Sequence, residues 1–517
     1  MRMTQGVHRA ARLRGDVTAT VYGNRRRIWR EVADRIARLA AGLKSLGLDP
    51  GDRVMIIAQN SDLYIEAMYA IWWAGAVLVP GNYRWSAGEH LFAIEDCGAR
   101  TILLGHDYLP LADLLRKTMP EVTIIALDAA LEETAGMATS EQLITDNGAV
   151  PDVCGRGDAL CALFYTGGTT GRSKGVMLSH ENLMFSFFAV QATVPLPPDP
   201  IFLHLPPMFH VGGAGAVIAN TLFAGTHVIL PAFSPAALVQ TIERERISAA
   251  LIVPTMFQML REHLADHPCD LSSMKLVRYG TAPISENLLR HAIAIFPNAS
   301  FMQGYGQTEL APIATILEPR FHGRDGNLLL RSAGRAALGV DVKITRPDGT
   351  NCGHGEVGEI RVRSPGRMIG YWNQPELTAE TIVDGWVRTG DAGHMDENGF
   401  LFIVDRLKDM IVSGGENIFS SEVENALSSH ADVAECAVIG VPDERWGERV
   451  HAIVRLKPGG SADEHSLVAH SRTLIASYKC PRTIEFRQEP LPLSPQGKIL
   501  KAELRKPFWE GRTRLVG

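Results

Sequence analysis

The chain has 517 residues, too many for one hydrophobic core, so two or three domains are expected. Hydrophobic residues make up 46% and charged residues 21%, the balance of an ordinary soluble globular protein. A net charge of −6 argues against a general nucleic-acid or anionic-membrane binder. Seven cysteines, at 97, 154, 161, 269, 352, 436 and 480, form no CxxC pair. Neither a disulfide frame nor a zinc site is suggested, and a reducing cytoplasm is the expected setting. The longest apolar run, residues 67–80, is too short for an integral membrane segment. Residues 1–15 carry four arginines and no acid, a transit-peptide-like composition. They lack an apolar core for secretion, and residues 17–22 already read as structure, so organelle targeting is not expected.

Residues 29–47 predict an amphipathic helix. Val32, Ile36, Leu39, Leu43 and Leu46 recur at spacings of four and three, and Gly47 and Pro50-Gly51-Asp52 stop it. A strand at 53–58, a helix at 61–74, a strand at 76–79, a helix at 86–97 and a strand at 101–104 follow. Strands alternating with helices at this pitch mean βαβ units and a parallel sheet. Residues 105–158 carry weak signals, and 128–155 reads as a surface excursion.

The strand at 159–165 runs into Tyr165-Thr166-Gly167-Gly168-Thr169-Thr170-Gly171-Arg172-Ser173-Lys174-Gly175. Glycines at this density allow φ > 0 and close approach to a ligand. Hydroxyls, backbone N–H groups and two cations suit an anion. A surface turn would not sit between two apolar strands, and the next begins at Gly175. The spacing is not G-x-x-x-x-G-K-[ST], so this is a phosphate loop of another type. A helix from about 182, strands at 201–205, 227–230, 249–253 and 275–280, and helices at 236–246 and 256–265 repeat the α/β alternation. From 327 the segments become short, β-branched and glycine-punctuated, which predicts a small antiparallel sheet or barrel. After the charged run Asp405-Arg406-Leu407-Lys408-Asp409 come about a hundred residues with their own pattern, the size of a separate domain.

Five further stretches carry unusual residue types. They are Met208-Phe209-His210-Val211-Gly212-Gly213, Tyr279-Gly280-Thr281-Ala282-Pro283, Gly304-Tyr305-Gly306-Gln307-Thr308-Glu309, Thr389-Gly390-Asp391 and Gln496-Gly497-Lys498. Singly, each has an ordinary reading. His210 suits a satisfied core histidine, Tyr305 packing, Asp391 a turn cap and Lys498 a solvated charge. Together, in this order and with Ser413-Gly414-Gly415-Glu416-Asn417, they make the chain resemble the adenylate-forming superfamily. Its members are acyl-CoA synthetases, firefly luciferases and peptide-synthetase adenylation domains. The resemblance runs from the helix near residue 30 to Lys498. One departure is Gly167-Gly168, where many members have Ser-Gly; it removes a hydroxyl and keeps the backbone N–H.

The resemblance implies an α/β fold. A large N-terminal domain of two α/β layers plus a small β-barrel-like part (1–404) precedes a hinge (405–408) and a small mobile α+β C-terminal lid (409–517). It also implies joining of a carboxylic acid to ATP with release of pyrophosphate, then transfer of the acyl group to coenzyme A. Thr166, Gly167, Gly168, Thr169, Thr170 and Lys174 would hold the β- and γ-phosphates. Thr308 would bond the α-phosphate, and Glu309 would help hold Mg²⁺. Tyr305, between Gly304 and Gly306, would stack on adenine, with Gly280, Thr281 and Ala282 beside it. Asp391, assisted by Arg406, would accept the ribose hydroxyls. Lys498 would bridge the carboxylate and the α-phosphate in the transition state, with His210 also in the catalytic set. Rotation about Lys408 would replace Lys498 by Ser413, Gly414, Gly415 and Glu416, bordering the coenzyme A tunnel.

The acyl pocket would be lined by His210, Val211, Gly212, Gly213, Tyr279, Gly280 and Pro312. No Lys or Arg stands among these candidates, so a monocarboxylate is favoured, fatty or aryl rather than acetate. A peptide-synthetase-like enzyme loading a carrier protein is the alternative; an amino-acid substrate would need an acidic partner, and no candidate is acidic. A luciferase-like oxygenase and a non-catalytic nucleotide binder are further classes, the second opposed by Lys174, Glu309 and Lys498. A homodimer is left open.

Overall fold

The computed structural model describes every residue except 129–133, 135, 168–172, 283, 324–327, 494–498 and 511–517. The chain forms two compact units. One comprises Met1–Leu330, Gly334–Asp341 and Arg363–Val387; the other comprises Arg331–Ala333, Val342–Val362 and the chain from Arg388 on.

The first unit holds two sheets. The eight-stranded sheet runs Gly370–Tyr371, Lys174–Ser179, Leu160–Thr166, Val77–Pro80, Arg53–Ile57, Thr101–Leu104, Thr123–Ala126, Ala138–Thr139. Its central strands are apolar and pair in parallel, as in an α/β layer covered on both faces. The nine-stranded sheet runs Arg335–Ala336, Thr315–Leu317, Ser300–Tyr305, Leu276–Gly280, Ala249–Leu251, Ile201–His204, Thr226–Ile229, Thr18–Tyr22, Arg25–Ile28. Thus the two expected layers are present.

Helix Asp62–Trp73 is buried along its whole length. Ser61 caps it by accepting from the Tyr64 N–H. Trp72 donates its indole N–H to the Cys161 carbonyl at 2.9 Å. The two carboxylates the helix carries inward are paired. Arg25 and Arg27 bond Asp62, and Arg35 bonds Glu66 at 3.0 Å. Helix Trp29–Ser45 buries Val32, Ile36, Leu39 and Leu43. Leu46 falls past its end and is 40% exposed, so the expected stripe is one residue too long. Residues 1–15 contain helix Gln5–Arg14, with Val7 and Ala10 fully buried and Arg9 bonded to the Leu222 carbonyl at 2.9 Å.

The stretch 105–158 is not only a surface excursion. Helix Leu111–Thr118 leads into strand Thr123–Ala126, which pairs in parallel with Thr101–Leu104, and Ala138–Thr139 extends the edge. These strands are too short for period-two patterning to reveal.

In the second unit, strands Asp341–Thr345, Gly358–Arg363 and Trp386–Met395 are neighbours, with Leu401–Arg406 antiparallel to the last. That pairing places residues 388–404 in this unit. Downstream, Glu416–Ile418, Ile411–Ser413, Gly447–Leu456 and Val433–Asp443 form a second sheet, and Thr483–Arg487 joins in parallel to Gly447–Leu456. Helices Ser420–Ser428 and Glu464–Arg472 bury Val423, Leu427 and Leu467 on it. No helix among the described residues is long and apolar enough to cross a membrane.

Five histidines of the first unit are buried. His204 and His227 stack with their rings bonded at 2.9 Å, and His227 reaches the Thr221 hydroxyl at 3.2 Å. Burial pushes His90, His180 and His322 down to about 4, and His227 to about 3; it holds His204 well below the ordinary value. The unfolded chain takes these protons near pH 6.5, while the folded chain refuses them until much lower pH. Stability is therefore full above pH 6.5 and lost as pH falls. By pH 5 each such histidine costs about 2 kcal/mol. We expect the urea unfolding midpoint, followed by tryptophan fluorescence, to fall steeply between pH 6.5 and 5. His322→Gln should flatten part of that slope.

Candidate functional site

Strand Leu160–Thr166 pairs antiparallel with Lys174–Ser179, which sets Thr166 opposite Lys174 and Tyr165 opposite Gly175. The expected loop is therefore the tip of a hairpin. Gly168, Thr169 and Thr170 lie outside the described residues. Among the described residues, a side chain on Gly167 would meet nothing within 4 Å. On Gly175 a Cβ would lie 3.2 Å from Trp372 and 3.3 Å from the Tyr165 ring.

Lys174 does not project into empty space. Its Nζ lies 5.3 Å above the ring of Tyr371. Tyr371 pairs by backbone with this hairpin, opposite Val176, and its hydroxyl donates to Glu309 Oε1 at 2.8 Å. Burial, reinforced by the Glu309 charge, pushes the phenol well above its ordinary value, so it stays a donor. Tyr371 was missed in the sequence. The available signal was an aromatic after glycine in Gly370-Tyr371-Trp372, the same texture as Gly304-Tyr305-Gly306.

Glu309 comes from the other sheet. Strands Leu276–Gly280 and Ser300–Tyr305 pair in parallel, with Gly280 opposite Gly304. Gly280 has φ +153°, and a Cβ there would fall 2.3 Å from the Gly304 carbonyl oxygen. A Cβ on Gly306 would fall 1.9 Å from the Pro312 carbonyl oxygen. These contacts leave no room for a side chain, and they let the strand end present Tyr305, then the 3-10 turn Thr308–Leu310. Tyr305, Thr308 and Glu309 are all partly buried. Thr281 has φ +65°, a left-handed conformation that costs a β-branched residue of order 1–3 kcal/mol. It is exposed, and Ala282 beside it is partly buried.

His210 precedes helix Val211–Leu222, its ring 4.1 Å from that of Phe209. The two glycines that follow differ. A Cβ on Gly213 would fall 2.1 Å from the Pro207 carbonyl oxygen, so Gly213 serves backbone packing. A Cβ on Gly212 would meet only the Thr281 methyl, at 3.8 Å. Gly212 and Thr281 therefore border one open space. Pro312 is partly buried, and Val211 is part of the hydrophobic core.

Tyr279 does not face that space. Strand alternation places it with Val277 on the other face, among Phe257, Phe296 and Phe301, with its hydroxyl on His322 at 2.9 Å. The expected pocket loses Tyr279 for this reason.

Within the second unit, Asp391 is buried opposite Arg406, whose Nε stands 3.2 Å from Asp391 Oδ1. The Asp391 N–H donates to the Thr389 hydroxyl at 3.1 Å. Lys408 lies in the 3-10 turn Leu407–Asp409, and burial draws its ammonium below the ordinary value. Ser413 and Glu416 face each other across a hairpin whose corner is Gly414 (φ +62°) and Gly415 (φ +85°), the conformation that selects glycine in a two-residue turn. A Cβ on Gly414 would fall 2.5 Å from the Trp446 ring. Lys498 lies outside the described residues.

Residues 7–372 match the AMP-binding enzyme family, and residues 422–498 match the AMP-binding enzyme C-terminal domain. The chain is 39% identical over 502 residues to a feruloyl-CoA synthase of Amycolatopsis sp, covering 97% of this chain and 98% of that one. It is 37% identical over 490 residues to the fatty acid–[acyl-carrier-protein] ligase ScoC of Streptomyces coeruleorubidus, covering 93% and 91%. Among solved structures, ATP-bound MatB from Rhodopseudomonas palustris superposes with a TM-score of 0.88 at 28% identity, covering 98% of this chain and 99% of that one.

The two adjacent glycines separate packing from open space. Gly213→Ala is expected to lower stability by about 1–3 kcal/mol, because its Cβ must displace backbone. Gly212→Ala should leave stability unchanged or raise it by up to about 1 kcal/mol through helix propensity. Parallel urea unfolding of the two variants checks the pair.

Proposed function

The chain belongs to the AMP-binding enzyme family and is an ATP-dependent acid–CoA ligase, and from that premise we propose that its acid is fatty or aryl and that the residues above divide two half-reactions between them. The observation that supports the site assignment best is Tyr371. It stands under Lys174 and bonds Glu309, so a cation and a carboxylate from different sheets meet at one side chain. That arrangement suits a polyphosphate and its counter-ion.

In the first half-reaction a carboxylate oxygen attacks the α-phosphorus of ATP. The new C(O)O–P bond forms as the P–O bond to pyrophosphate breaks. Thr166, Gly167, Gly168, Thr169, Thr170 and Lys174 hold the leaving phosphates, and Thr308 bonds the α-phosphate. Tyr305 stacks on adenine beside Gly280, Thr281 and Ala282, with Gly304 and Gly306 letting it stand at the strand end. Asp391 accepts the ribose hydroxyls with Arg406. His210 and Gly212 border the acyl group. Lys498 neutralises charge building between the carboxylate and the α-phosphate.

Mg²⁺ fits the donor set. Among the described residues no group of three or more His, Cys, Asp or Glu could hold a metal alone, and Mg²⁺ ordinarily takes one or two carboxylates plus substrate phosphates. Glu309, next to Thr308, would hold it, and it would supply charge neutralisation to the phosphates.

In the second half-reaction the coenzyme A thiol gives up its proton and attacks the acyl carbon, and AMP leaves. Lys408 is the pivot that exchanges Lys498 for the turn Ser413–Gly414–Gly415–Glu416. A cytoplasmic setting accords with seven free cysteines.

A pyrophosphate-release screen over carboxylic acids, with and without coenzyme A, tests the reading. Release with fatty or aryl acids and thioester formation with coenzyme A are expected. Acyl transfer only to a carrier protein would establish the alternative acceptor. Lys498→Ala should slow adenylate formation by about 100-fold or more, while sparing thioester formation from a supplied acyl-adenylate. Lys408→Pro should do the reverse, since a fixed φ blocks rotation. Single-turnover assays of each half-reaction distinguish the two variants; equal loss in both halves would refute the division of labour.

A further inference from the structure

Arg278 is buried on strand Leu276–Gly280, two residues before Gly280. Strand alternation puts it on the face opposite Tyr279 and level with Gly280. Its register partner is Met302, as Gly304 is that of Gly280. In front of this face stand Ile313, whose Cδ1 would touch a Cβ on Gly304 at 2.9 Å, and the Met302 methyl at 3.7 Å.

Helix His180–Thr193 covers this face. Ile313 N–H donates to Ser186 Oγ at 3.4 Å, midway along the helix, and Arg278 Nη2 donates to the carbonyl of Val194, just past the helix end, at 3.1 Å. The guanidinium therefore lies along the helix from the glycine pair that borders the candidate site. Its Nε has no hydrogen-bond partner, and no carboxylate pairs with it among the described residues. Burial draws it down to about 10, so it keeps its charge at neutral pH. A buried cation without a counter-charge is costly, and a methionine would fill the same volume without that cost. Packing alone does not account for it.

We propose that Arg278 reads the far end of the acyl group, so that the pocket selects acids carrying an oxygen acceptor remote from the reacting carboxyl. The acceptor is a neutral hydroxyl or keto oxygen or the oxygen of a second carboxylate. The proposal rests on the acid–CoA ligase reading and adds to it a specificity-determining residue absent from the sequence-derived pocket.

The test is kcat/KM for paired acids, by pyrophosphate release and by thioester formation, with the full chain, ATP and coenzyme A. The pairs are cinnamate against 4-hydroxycinnamate, and octanoate against 8-hydroxyoctanoate and suberate. The oxygenated member of at least one pair should lead by about tenfold or more, the worth of a hydrogen bond to a charged group. Arg278→Met should erase that lead by losing the oxygenated acid while keeping the plain one, and Arg278→Lys should retain part of it. Suberate ahead of 8-hydroxyoctanoate assigns an anionic partner; the reverse order assigns a neutral one. Turnover with no preference in the unaltered protein overturns the assignment of Arg278 and leaves the ligase reading standing. So does Arg278→Met lowering both members of every pair alike. Absence of pyrophosphate release with every acid overturns the ligase reading itself, and the proposal with it.

Discussion

The ribbon 368–372 is sewn to both sheets of the first unit. The Met368 N–H donates to the Glu309 carbonyl at 2.8 Å, the Ile369 N–H to Met177 at 2.9 Å and the Trp372 N–H to Gly175 at 2.8 Å. Between these stitches Tyr371 gives its hydroxyl to the Glu309 carboxylate. A hydrogen bond to a charged, partly buried group contributes of order 1.5–3 kcal/mol, and here it also fixes a position. Lys174 and Glu309 are 135 residues apart in sequence and belong to different sheets, yet one short ribbon determines their spacing. The proposed polyphosphate site needs that spacing held before a ligand arrives, because preorganised charge costs no rearrangement during reaction.

A second constraint is the absence of side chains where strand ends crowd together. At Gly280 and Gly306 a Cβ would strike backbone carbonyls, which cannot swing aside as a flexible side chain could. The tightness lets the strand end present Tyr305 and then Thr308. At Gly212 the opposite holds, and the missing side chain leaves room that no neighbour uses. Glycine in one motif thus has two physical meanings, and only the three-dimensional surroundings separate them.

Much of the fold was legible in the sequence. The long periodic segments carried it: helix Trp29–Ser45, helix Asp62–Trp73 and the apolar strands on either side of the 166–175 loop all stand where their spacing placed them. Motif order carried the family. Three things were not legible. Strands Thr123–Ala126 and Ala138–Thr139 are too short to show alternation and exist because a neighbouring edge accepts them. Tyr371 lies 62 residues from Glu309, and no local signal joins them. Arg278 and Tyr279 are adjacent, and without a strand register there was no way to tell which faced the core. The family resemblance implied the tyrosine for the pocket, and alternation turns it instead toward Phe257, Phe296 and Phe301.

The chain crosses between its compact units at 330/331, 333/334, 341/342, 362/363 and 387/388. Neither unit is a continuous length of polypeptide, and this sets the order of events during synthesis. The first unit lacks Tyr371, and with it the tie to Glu309, until the ribosome has passed residue 371, and its last segment ends only at residue 387. Strand Gly358–Arg363 emerges earlier than its neighbour Trp386–Met395 and waits on the order of seconds at ordinary elongation rates. During that wait its backbone edge is unpaired, the condition under which strands join wrong partners. Birth of this protein is therefore gated by the middle of its chain, and slow codons or chaperone contact near residues 360–390 would bear on its yield more than the same events near either terminus.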